Sequence, residues 1–144
     1  MAIVALITWL VTAAFGSYMV AIWASKGGTR SGAGQAGTNL PPSRVFAHLL
    51  IAVVGLIVWI IYLVSDSTLW GWIAFVGLLI VASIGGVMVS RWASDRRGAG
   101  AGGAVSGGPA LAEQHIPAAV VGLHGVFAVG TVVLVLLTVL QVAG

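Results

Sequence analysis

The chain has 144 residues, 60% of them hydrophobic and only 6% charged, against about 25% charged in an ordinary soluble domain. With a mean hydropathy of +1.13, it has too little polar surface to cover a water-exposed globule. The class is integral membrane protein. The net charge of +3 comes from only six Lys and Arg, which argues for orientation signals and against a nucleic-acid surface. There is no cysteine, which excludes disulfides, thiolate metal sites and a Cys nucleophile.

Four apolar segments follow in chain order, at about 2–24, 45–64, 69–92 and 116–142. Each is long enough to cross a hydrocarbon core of about 30 Å at about 1.5 Å per residue. The first has no Lys or Arg before Lys26 and runs for the length of a span. A signal peptide needs a basic start and a shorter core, so this segment is expected to be a retained helix. The second and third are separated only by the 65–68 turn around Ser65, Asp66 and Ser67, so they must form an antiparallel hairpin. The expected fold is all-α, a polytopic membrane protein with four transmembrane helices in one antiparallel bundle, residues 1–144 forming a single membrane domain.

All six basic residues fall on one side. Lys26, Arg30 and Arg44 lie in or beside the first loop, and Arg91, Arg96 and Arg97 lie at the start of the third. Under the positive-inside rule that side is the cytoplasm, with both termini outside and the protein multi-pass in the cell (cytoplasmic) membrane. The loops 25–43 and 93–115 are glycine-rich and read as flexible. Both spell G-x-G-x-x-G, at Gly32, Gly34 and Gly37 and again at Gly98, Gly100 and Gly103. Neither follows a strand and opens a helix, as a dinucleotide cradle must. Ser43 is a plausible N-cap of the second span, and Pro117 suits the first turn of the fourth.

Membrane helices pack through small and weakly polar residues, because lipid supplies no hydrophobic drive between them. Each span carries such residues at helical spacing: Thr8, Thr12, Gly16 and Met19; Arg44, His48, Ala52, Gly55, Trp59 and Tyr62; Ser83, Gly86 and Ser90; Pro117, His124, Thr131 and Thr138. These stripes are expected to meet in the bundle interior. Trp23, Trp92, Trp70 and Trp72 fall at span ends, where aromatic belts form, while Trp9 and Trp59 lie deeper.

Of the three histidines, His115 sits beside Glu113 and Gln114 at a boundary and is expected to be wet. His48 and His124 lie on the stripes. Neutral imidazoles on facing helices are the axial ligands that a b-type haem requires, and bundle cores hold such cofactors. His48 and His124 are thus the candidate metal-ligating and cofactor-binding residues, and Gly55, seven residues beyond His48, is a candidate for the room a flat macrocycle needs. The plainer reading is that each histidine hydrogen-bonds a neighbouring helix. Depth leaves both open. His48 is three residues past Val45 and His124 eight past Ile116, an offset of about 7 Å at the helical rise unless the fourth span overhangs.

No acidic residue lies within a span, which argues against a proton-coupled transporter. No segment gathers a nucleophile, base and acid, so no catalytic residues are assigned and an enzyme is not expected. In bundle architecture the chain resembles cytochrome b561-type proteins, although those use two histidine pairs and only one can form here. In the LPPSRVFAH entry to the second span and the LHGVFA segment of the fourth, it resembles small four-span membrane proteins of actinobacteria. That resemblance implies the topology and transfers no activity.

The leading expectation is a non-enzymatic four-span protein, an accessory or assembly subunit of a larger membrane complex, with other membrane subunits or copies of itself as partners. The alternative is a single-haem b-type cytochrome transferring electrons, with His48 and His124 as axial ligands.

Overall fold

A computed structural model describes residues 1–29, 37–65, 67–101 and 110–143. Most of both glycine-rich stretches, Arg30 and Asp66 lie outside the described residues. Among the described residues four α-helices form: α1 (Ala2–Ser25), α2 (Pro42–Ser65), α3 (Thr68–Ala101) and α4 (Ala118–Ala143). All four are long and apolar enough to cross a membrane. A 3-10 turn, Ala112–His115, precedes α4.

The helix ends follow local chemistry. Pro42 is the first residue of α2, where a missing N–H leaves no bond unmade. The last turn of α1 closes with Gly28 N–H donating to the Trp23 carbonyl and Gly27 N–H to that of Ala24, with Gly27 at φ 93°. This is the paired C-terminal cap that glycine permits. Gly28 is required for a second reason: a Cβ there would fall inside the Trp23 indole. At the start of α4, Val120 and Val121 N–H donate to the Pro117 carbonyl. The helix α3 continues beyond Trp92, into what composition suggested was loop.

The bundle is made of two close pairs. α1 packs most intimately with α4 and α2 with α3, while α3–α4 and α1–α2 meet more loosely. α2 and α4 therefore stand on a diagonal and run in the same direction. Two apolar clusters fill the interior at different heights. Towards the α2–α3 hairpin lie Ala5, Trp9, Trp59, Tyr62, Ala74, Leu78, Val135 and Val139. Towards the basic end lie Trp23, Leu40, Val45, Ala112, Ile116 and Val121.

The inward face of α3 is not the one that Ser83, Gly86 and Ser90 suggested. All three are exposed, and a Cβ on Gly86 would touch nothing. The hydroxyls of Ser83 and Ser90 donate to the Leu79 and Val87 carbonyls of their own helix. A serine satisfied in this way has no need of a neighbouring helix. The face that packs carries Gly71, Ala74, Leu78 and Val81, all buried.

Candidate functional site

Between the two clusters is a level at which no described residue is fully buried. None of residues 10–22 on α1, 46–54 on α2 or 122–130 on α4 is fully buried, and none beyond Val81 among the described residues of α3. Both candidate histidines are at this level. His48 is six residues past Pro42 and His124 six past Ala118, the first residues of their helices. The offset in depth disappears because α2 begins earlier, and α4 later, than hydropathy placed them.

The His48 and His124 rings are centred 6.4 Å apart, with planes inclined by 53°. Each imidazole is seated on a glycine of its closely packed partner helix. A Cβ on Gly16 of α1 would stand 3.2 Å from His124 Cε1, and one on Gly85 of α3 would stand 3.1 Å from His48 Cε1. Four residues before each glycine is the carbonyl nearest to the ring nitrogen. His124 Nδ1 lies 3.0 Å from the Thr12 carbonyl oxygen. A carbonyl can only accept, so Nδ1 carries the proton and Nε2 keeps its lone pair. Val81 presents its carbonyl to His48 in the equivalent place. There the geometry is looser, and His48 Nδ1 makes no well-formed hydrogen bond.

The plainer expectation for His124 is thus met by the Thr12 carbonyl, but it occupies only one nitrogen. The threonines do not compete for the other. Thr131 and Thr138 are buried and donate to the Phe127 and Leu134 carbonyls of their own helix. Gly55 does not provide room for a macrocycle, because the Trp9 ring fills that space: a Cβ on Gly55 would stand 3.1 Å from it.

Among the described residues, no group of three or more His, Cys, Asp or Glu could hold a bare metal ion. Two imidazoles suit a group that brings its own remaining ligands. A metal–imidazole bond of about 2.0–2.1 Å, plus about 1.2 Å from nitrogen to ring centre, sets two imidazoles on opposite sides of one ion about 6.4 Å apart. The observed separation fits that, and axial ligation does not require parallel rings.

The basic end is closed by a polar lid that composition did not reveal. Glu113, although it stands at a span boundary, is fully buried. Its carboxylate accepts from Thr38 Oγ1 at 2.7 Å and from Asn39 N–H at 2.6 Å. Trp23 is also buried, not an interfacial belt residue, and its Nε1 donates to Thr38 Oγ1 at 2.9 Å. Trp92 Nε1 donates to the Glu113 carbonyl, and Arg96 stands over the Trp92 ring at 5.1 Å. His115 is exposed, with Nδ1 3.1 Å from the Leu111 carbonyl. The only sequence sign of this lid was an acidic residue next to a span in a chain with three acids.

Comparison with known proteins finds no matching family model, no matching curated protein and no matching solved structure.

Proposed function

We propose that this multi-pass membrane protein is a single-haem b-type electron carrier, with His48 and His124 supplying the axial nitrogens. The observation that carries the reading is the 6.4 Å separation of the two imidazoles across the bundle diagonal. It is supported by the seat under each ring and by the free Nε2 of His124. A haem held there would supply reversible one-electron chemistry.

The chain's part is to hold and shield. The Thr12 carbonyl fixes the His124 tautomer and ring orientation, the role that outer partners of metal-bound histidines perform. Gly16 and Gly85 let the rings lie against neighbouring backbone. Trp9 and Trp59 close the level from the hairpin side, and Val45, Ile116 and Val121 from the basic side. Apolar walls of this kind keep water from the site and help to set its potential.

The accessory-subunit reading becomes part of the same proposal. A carrier enclosed in four helices exchanges electrons with another protein, and the basic end, proposed to face the cytoplasm, is one place to dock. The test is stoichiometry. Protein purified after haem-replete expression should carry one haem per chain. A preparation with haem far below that ratio, and unable to take up more on titration, would refute the reading.

A further inference from the structure

The histidine level is built twice from one pattern. Residues 16–25 read GSYMVAIWAS and residues 85–94 read GGVMVSRWAS, identical at six of ten positions. Two of the six are Met and Trp, of which the chain has only three and six, so composition does not account for the match. At the same spacing of 69 residues, Ala5 matches Ala74. The helices α2 and α4 match at a spacing of 76, through Pro41 and Pro117, Val45 and Val121, and His48 and His124. The second linker is therefore seven residues longer than the first.

The packing keeps the same register. Ala5 and Trp9 are buried in α1, and Ala74 and Leu78 in α3. Val45, Trp59 and Tyr62 are buried in α2, and Val121, Val135 and Thr138 in α4. The last two helices also start alike: Arg44 and Val45 N–H donate to the Pro41 carbonyl, as Val120 and Val121 N–H donate to that of Pro117. Trp23 Nε1 donates into the first linker, at Thr38, and Trp92 Nε1 into the second, at the Glu113 carbonyl. Lipid is as apolar as the side chains, so hydrophobicity alone does not choose which face a membrane helix buries. Matching registers in both helix pairs need a common pattern.

We infer that the chain is a tandem of two copies of one two-helix unit, α1–α2 and α3–α4, related by a two-fold axis along the bundle, and that the histidine site is a single site on that axis which neither unit forms alone. α1 and α3 run one way and α2 and α4 the other, as parallel repeats require. His124 of the second unit is seated on Gly16 of the first, and His48 of the first on Gly85 of the second. Each unit thus gives one imidazole and seats the other's. A ligand held between them meets the same donor from two opposite sides, so the site suits a group with two equivalent faces.

The experiment measures distances in the full chain, haem-free in nanodiscs, between pairs of nitroxide labels on introduced cysteines, since the chain has none of its own. V4C/V126C spans α1 to α4, and I73C/L50C is the pair that the axis makes equivalent; all four positions are exposed. The two mean distances should coincide. Means that differ by more than about one helical turn, 5.4 Å, overturn the inference. If a variant does not fold, I7C/V129C and V76C/V53C, also exposed, repeat the comparison. The equivalence of the donors rests on the haem reading above: H48A and H124A should lose haem affinity to within about tenfold of each other. A larger difference overturns that equivalence. If the wild type takes up no haem, the haem reading fails, and the distances alone decide the two-fold inference.

Discussion

His48 and His124 face each other across the bundle diagonal with ring centres 6.4 Å apart, although 76 residues separate them along the chain. Each sits at the same depth in a helix running the same way. Each rests on a glycine contributed by the helix most closely packed against its own. The two halves, α1 with α4 and α2 with α3, thus repeat one device around an approximate two-fold relation.

The glycine seats make a sharp prediction. G16A and G85A each introduce a methyl at 3.1–3.2 Å from an imidazole carbon, so the ring must shift. Haem affinity should fall by about tenfold, the lower end of what disturbing an outer partner of a metal ligand costs. Helix content by circular dichroism should not change. G77A and G122A, where a Cβ meets nothing, should bind haem as the wild type does.

The buried lid predicts a stability effect separate from any cofactor. In E113A, the Asn39 N–H loses its acceptor and Thr38 Oγ1 keeps only the longer bond to the Leu40 carbonyl. The loss should be about 1.5–3 kcal/mol, the range for a hydrogen bond to a charged group. H115A, at an exposed position, should stay within about 0.5 kcal/mol. Reversible unfolding of the haem-free protein in mixed micelles measures both.

Orientation can be tested cleanly because the chain has no cysteine. With the basic end in the cytoplasm, an impermeant thiol reagent applied to intact spheroplasts should label S67C and not S94C. Lysis should expose S94C to the same reagent. The reverse pattern would invert the topology proposed from the charge bias.

The four spans were legible in the sequence because backbone hydrogen bonds cannot be left open in hydrocarbon, so length and apolarity alone mark a helix. The inward stripes of α2 and α4 were legible for a related reason, whereas α1 buries Ala5, Trp9 and Trp23, none of them on the stripe expected of it. Trp59 and Tyr62 of α2, and Thr131 and Thr138 of α4, recur at helical spacing and are buried. On α3 the same reasoning chose the wrong face. Gly85 and Gly86 are neighbours, serines can satisfy themselves on their own helix, and nothing in composition says which glycine meets a ring. The histidine pair could be named but not aligned, because its register depends on helix starts that hydropathy places only to within a few residues. The buried Glu113 was missed because its partners, Thr38 and Asn39, lie 75 and 74 residues away in a glycine-rich linker.

The most direct test of the central claim is the reduced-minus-oxidised visible spectrum of the purified protein, compared with H48A, H124A and the double variant after haem-replete expression. The account predicts a low-spin, six-coordinate haem in the wild type, with that signature lost in each single variant and restored by added imidazole. The double variant should hold no stoichiometric haem. Absence of a Soret band in the wild type, or an unchanged low-spin spectrum in the double variant, would contradict it.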